Sequence, residues 1–233
     1  MARKNKINSN SHGRKLITDA APKSPISEQF RTLRTNIEFS TVDQPYRSLM
    51  VTSTGPGEGK TTTISNLAVV YAQQGKKVLL IDADLRKPTI HYTFQKMNTV
   101  GLSNVITRQI SLENAIQSTE VENLDCLTSG PIPPNPAELI GSQGMDRLIE
   151  DCYELYDIIL FDAPPVLAVT DPQILANKCQ GTILVVSSGT TEVDGAKKAK
   201  EQLTSAKAKL LGVVLNNKDV KSSNYYYYYG GKK

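Results

Sequence analysis

The nine residues "TGPGEGKTT", Thr54 to Thr62, place three glycines, one lysine and a threonine pair in a single short turn. Gly57 and Gly59 permit a tight turn and close approach of the backbone to a bulky anion. Successive N–H groups and the start of a following helix then face phosphate oxygens. The pattern is a P-loop with one departure. Thr54 occupies its first position and the glycine comes one residue later, at Gly55. On this reading Gly55, Gly57, Glu58, Gly59, Lys60, Thr61 and Thr62 form the nucleotide cradle. Lys60 adds a mobile cation for the β- and γ-phosphates, and Thr61 offers a hydroxyl to Mg²⁺. A glycine-rich turn without a ligand is the competing reading. The order strand, loop, Lys-Thr, helix argues against it.

Two carboxylate-bearing strand ends follow. "LLIDADLRKP" sets Asp82 and Asp84 two apart, so an extended backbone points both to one side. "IILFDAPP" ends an apolar run on Asp162, the Walker B pattern. A carboxylate at the end of so apolar a strand is costly unless a positive group meets it, and Mg·ATP supplies one. Thr61, Asp82 and Asp162 are therefore the expected Mg²⁺ ligands. Asp84 has helix capping as its other reading. His12 and His91 are too far apart for a metal centre, and Cys126, Cys152 and Cys179 lack ligand spacing. Any metal should arrive with a phosphate.

These strand ends need a frame. "RSLMVTS", "KKVLLIDAD", "LDCLTS", "DIILFDAPP", "GTILVVSS" and "KLLGVVLNN" read as buried strands, alternating with helices. The helices are one through Tyr71 closed by Gly75, one around 142–155, one after Pro172, and "EVDGAKKAKEQLTSA". Residues 88–123 read as short helices and loops. Continuous Val/Ile/Leu strands indicate an α/β fold with a doubly wound, mostly parallel sheet covered by helices on both faces. Ligands bind such sheets at the carboxyl ends of strands, where all three motifs lie. Before them, "SPISEQFRTLRTNIEFS" spaces Ile26, Phe30, Leu33 and Ile37 helically, with Glu28, Arg31 and Arg34 on the other face. Residues 1–24 read as a flexible basic arm, 25–217 as one P-loop domain and 218–233 as a flexible tyrosine-rich tail. At the end of the last strand, Asn216 or Asn217 is placed to hold an adenine base.

The combination of "STGPGEGKTT", "LLIDADLR" as a second aspartate motif (Walker A′) and "IILFDAPP" resembles the bacterial tyrosine kinases. The resemblance runs from about residue 24 to the end. It includes Glu28, Arg31 and Arg34 as the family's ExxRxxR element, "GPIPPNPAELI" and the tyrosine-rich tail. Partitioning and septum-placement ATPases share the deviant P-loop but carry a lysine where this chain has Gly55, so a ParA/MinD-like ATPase switch is the weaker reading. What the resemblance implies is a protein-tyrosine kinase using ATP and Mg²⁺ in control of capsule or exopolysaccharide production. Its implied partners are a membrane adaptor that supplies an activating cytoplasmic segment, protein substrates and a cognate tyrosine phosphatase. It also implies a head-to-tail ring of subunits joined through Glu28, Arg31 and Arg34.

The tail "SSNYYYYYGGKK" then has a role. Tyr225, Tyr226, Tyr227, Tyr228 and Tyr229 are half of the 10 tyrosines, concentrated where nothing can pack around them. They are the expected phosphoryl acceptors. A phenol of pKa about 10 is a poor nucleophile at neutral pH, so transfer needs a carboxylate to take its proton. Asp82 is the expected base, with Asp84 assisting and Lys60 holding the phosphates. The net charge of +4 is mild and concentrated in the N-terminal arm. No apolar run approaches the roughly 20 residues of a spanning helix, and the N-terminus lacks a signal peptide's apolar stretch. The chain is expected in the cytoplasm, recruited to the membrane by its adaptor, with no nucleic-acid partner.

Overall fold

The computed structural model describes residues 16–41 and 44–219. Seven strands form one sheet: β1 Ser48–Ser53, β2 Val78–Asp82, β3 Gln117–Ser118, β4 Leu124–Leu127, β5 Ile158–Asp162, β6 Gly181–Ser187 and β7 Leu210–Asn216. Their spatial order is β3-β4-β2-β5-β1-β6-β7. Every neighbouring pair is parallel except the short β3, which runs antiparallel to β4.

Strand alternation divides the apolar side chains between two cores. Leu49, Val51, Val78, Leu80, Ile158 and Leu160 face one side; Met50, Leu79, Ile81, Ile159 and Phe161 face the other. Helices α1 Ile17–Ala20, α2 Pro25–Phe39 and α3 Lys60–Ala72 cover the first. Between β2 and β4 lie α4 Ile90–Phe94, α5 Leu102–Ile106 and α6 Leu112–Ala115. The second core is closed by α5 and α6 together with α7 Pro136–Gly141, α8 Gln143–Leu155, α9 Asp171–Lys178 and α10 Val193–Ser205. Both sides of the sheet are covered, as a parallel sheet requires.

Helix ends follow local chemistry. The Ser24 hydroxyl accepts from the Ser27 N–H and Pro25 takes the first position of α2. Gly75, at φ +88°, ends the turn after α3, where the Lys76 N–H returns to the Tyr71 carbonyl.

Several expectations change. The arm does not stay free up to residue 24. Thr18 is buried, its N–H and hydroxyl both donate to Asn66 Oδ1 at 3.0 and 2.8 Å, and Gln73 Nε2 donates to its carbonyl. Ile26 is exposed because the buried stripe of α2 runs through Phe30, Leu33 and Ile37. The proline-rich stretch "GPIPPNPAELI", which composition alone would make a loop, holds a helix, α7, begun by Pro136 at its first position. The last strand is not buried: Val213 and Leu215 are 57% and 52% exposed, because β7 is the sheet edge and is covered only in part.

Candidate nucleotide and phosphoryl-transfer site

The sheet order places β1 between β5 and β6, with β2 beyond β5. The P-loop leaves the carboxyl end of β1. Asp82 and Asp162 end β2 and β5 as register partners across the ladder. All three motifs thus meet at one pole, although about 100 residues of chain separate the first from the last.

Lys60, the first residue of α3, is the hub. Its Nζ lies 3.1 Å from Asp84 Oδ2 and 3.2 Å from Asp162 Oδ1. The Thr61 hydroxyl donates to Asp162 Oδ2 at 2.5 Å and stands 3.1 Å from Thr89 Oγ1. Asp82 is completely buried. Its Oδ2 accepts from the N–H groups of Thr89 and Ile90, both at 2.9 Å, and its Oδ1 from Asp84 at 3.3 Å. Asp84 Oδ1 accepts from the Lys87 N–H. The capping chemistry anticipated for Asp84 therefore falls on both aspartates, and it folds the loop 83–89 back over the site.

Three buried carboxylates face one ammonium; if all ionise, 3 − 1 leaves two uncompensated negative charges. The electrostatics follow. Burial, then the neighbouring Asp162, pushes Asp82 up to about 7, against the pull of the Ile90 N–H and Lys60. Burial also raises Asp162, opposed by Lys60 and Thr61. Burial pulls the Lys60 ammonium down, but Asp162 and Asp84 outweigh it and its pKa ends above the ordinary lysine value. Such a deficit fits a divalent cation. Among the described residues no set of three or more His, Cys, Asp or Glu forms a metal cage. The donors would suit Mg²⁺ that brings its own phosphate and water oxygens: Thr61 and Asp162 are placed to hold it, whereas Asp82, also expected as a ligand, has both oxygens bonded to backbone N–H groups.

The cradle is shaped from within. Gly57 and Gly59 have φ of +79° and +93°, and a Cβ on Gly59 would overlap the Asn216 side-chain amide. Two residues expected on the nucleotide have their side chains turned elsewhere. Glu58 Oε2 accepts from the Thr54 and Gly55 N–H groups at 2.7 and 3.0 Å, and Oε1 from the Thr191 hydroxyl at 2.5 Å. A carboxylate beside phosphates would repel them; bonded into the loop, it sets the loop's curvature. Asn216 Nδ2 donates to the Glu58 carbonyl at 2.9 Å, and Asn217 Nδ2 to Ser187 Oγ. Asn216 thus braces the P-loop from the end of β7. Thr62 is exposed on the first turn of α3.

Sequence reasoning missed Thr89, Thr191 and the pair Arg86–Asp171. Arg86 Nε and Nη2 fork onto the buried Asp171 carboxylate at 2.8 and 3.0 Å. Asp171-Pro172 signalled only a helix start, and Arg86 stood only as the last residue of "LLIDADLR", with no role of its own. Of the expected interface residues, Glu28 is exposed and pairs with Arg31 at 2.9 Å. Arg31 also donates to the Pro22 carbonyl. Arg34 turns inward and donates to the Val70 carbonyl near the end of α3. Tyr225 to Tyr229 lie outside the described residues.

Fold and site together define a P-loop nucleotide-binding protein, and an AAA-domain family model matches residues 46–211. The tyrosine-protein kinase YwqD of Bacillus subtilis is 57% identical over 205 residues, covering 88% of this chain and 86% of its own. The solved chimerical protein CapA2B2 is 47% identical with a TM-score of 0.84, covering 87% of this chain and 89% of its own. A more distant neighbour is the septum site-determining protein MinD of Pyrococcus horikoshii, complexed with Mg-ADP. It is 26% identical, with a TM-score of 0.62 over 72% of this chain and 69% of its own. The chain belongs to the bacterial tyrosine-protein kinase family, within the AAA-domain P-loop proteins, and not to the septum-placement ATPases.

Proposed function

We propose that this tyrosine-protein kinase transfers the γ-phosphoryl group of Mg·ATP to the phenols of its own tail, Tyr225 to Tyr229, and to tyrosines of other proteins. The observation that carries the reading is the pair of buried carboxylates on Lys60, Asp84 and Asp162, with the buried Asp82 beside them, at the mouth of a P-loop. Held Mg²⁺ would spread the charge of the transferring group.

The chain's own residues act around it. Lys60 leaves Asp84 and Asp162 and engages the β- and γ-phosphates. The N–H groups at the start of α3 cradle the same oxygens. Asp82 takes the phenol proton as the tyrosine oxygen attacks phosphorus and ADP departs. Burial makes the Asp82 carboxylate a stronger base than an exposed one, which favours its taking the proton. Asp84, released by Lys60, assists at the metal or the phenol. Seventeen residues after Asn216 span at most about 55 Å, a reach that allows transfer within one chain or to a neighbouring subunit's site.

Glu28 and Arg31 project from α2 and remain candidates for a contact that closes subunits into a ring. Arg34 serves the α2–α3 packing, so its replacement also loosens the fold. A membrane adaptor would stimulate the enzyme and hold this cytoplasmic chain at the membrane. Among the described residues no helix is long and apolar enough to cross a membrane. A cognate phosphatase would reverse the modification, in control of capsule or exopolysaccharide production.

The test is phosphotyrosine formation from labelled Mg·ATP, with an adaptor's activating segment added. Wild-type protein should give signal. Lys60→Met and a chain truncated after Asn224 should not. Phosphate release without phosphotyrosine in the wild type would favour a nucleotide-switched ATPase.

A further inference from the structure

Two loops border the phosphate pole and each carries part of its chemistry. Residues 83–89 follow β2 and hold Asp84 and Thr89. Residues 163–170 follow β5 and its Asp162, and end at Asp171, the first residue of α9. A bidentate ion pair between residues 85 apart in sequence, Arg86 on Asp171, joins the first loop to the end of the second. The two partners differ in environment. Asp171 is 1% exposed, whereas the Arg86 side chain is 41% exposed. A planar guanidinium fork fixes direction as well as distance, which an ammonium does not. Bonding to Asp171 raises the Arg86 pKa, so the guanidinium stays charged. Two residues upstream, Asp84 contacts Lys60.

We propose that Arg86 and Asp171 are positioning residues for phosphoryl transfer: their fork clamps the loop after β2 to the start of α9 and so aims Asp84 and Asp82 at the phosphate held by Lys60. Neither residue touches the reacting atoms. The clamp works because the Asp82 and Asp84 carboxylates are set by backbone N–H groups of the same loop and of Ile90, which follows it. When the loop shifts, they shift with it. The inference rests on the kinase reading above and deepens it.

The experiment measures kcat and KM for Mg·ATP, by phosphotyrosine on the tail, together with melting temperature. The variants are Arg86→Lys, Asp171→Asn and the apolar double variant Arg86→Met/Asp171→Leu. Arg86→Lys keeps the charge and loses the fork. Its kcat should fall by on the order of a hundredfold, since a displacement of about 1 Å has that cost, while KM changes much less. Asp171→Asn should do the same. The double variant leaves no buried charge unpaired, so its melting temperature should recover toward wild type while kcat stays low. Wild-type kcat in Arg86→Lys, or recovery of kcat together with melting temperature in the double variant, would overturn the proposal and leave the pair a stabilising contact. Wild-type protein in the same assay tests the kinase reading by itself. Phosphotyrosine there, with full activity in Arg86→Lys, discards only the clamp.

Discussion

The two ends of the sheet use charge in opposite ways. At the amino ends, charged groups lie near the surface and satisfy backbone ends. Arg47 donates to the carbonyls of Tyr153 and Tyr156, and Asp157 accepts from the Lys77 N–H. At the carboxyl ends, Asp82, Asp84 and Asp162 are buried around a single lysine. The first arrangement stabilises a chain crossing the edge of a sheet. The second buries more negative than positive charge, which a divalent cation would offset. Burial with a charge deficit, more than the presence of charge, marks the working end.

The largest effect should come from removing the hub. Lys60→Met should reduce phosphotyrosine formation by on the order of a thousandfold, because a preorganised cation at developing charge is lost. Lys77→Met, at the opposite end, should change the rate less than about twofold, as expected for an exposed side chain. Equal losses in both would erase the distinction between the ends.

A smaller effect should follow at the turn. Gly59→Ala forces a side chain into a left-handed conformation and against Asn216. It should destabilise the protein by about 1–3 kcal/mol from backbone strain alone and weaken Mg·ATP binding. Asn216→Ala should relieve the overlap in part and leave the strain. Denaturant midpoints and nucleotide titration read both quantities.

The smallest effect sharpens the electrostatic half of the comparison. Asp82 has its folded pKa raised to about 7 from the ordinary 3.8. A carboxyl raised in this way contributes stability while protonated, present in full below the unfolded value and lost as pH rises through about 7. The nucleotide-free, metal-free protein should therefore melt lower at pH 8 than at pH 6. Mg·ATP should flatten that slope by stabilising the carboxylate. A metal-free melting temperature that rises across this window would contradict the assigned burial of negative charge.

The sheet class, the P-loop and both aspartate motifs were legible in the chain because each is written in consecutive residues. Glycines, Lys-Thr and apolar runs ending in aspartate act through local geometry and strand direction. What stayed hidden was pairing at long separation. Glu58 reads as a cradle residue until Thr191 appears beside it, Asn216 as an adenine contact until it meets the Glu58 carbonyl, and Arg34 as an interface group until it reaches Val70. The half-exposed face of β7 was hidden for the same reason, since its apolar run matches that of a central strand and only its edge position distinguishes it.

By itself the sequence determined that a P-loop and two aspartate motifs sit at the ends of parallel strands, and that a cluster of phenols follows the domain. The tertiary structure alone decided which carboxylates share Lys60, which are closed by backbone N–H groups and which side chains serve only to hold a loop. Those outcomes depend on the order β2-β5-β1-β6-β7, which brings residues 85 to 158 positions apart into hydrogen-bond contact. Local residue preference carries no record of that order.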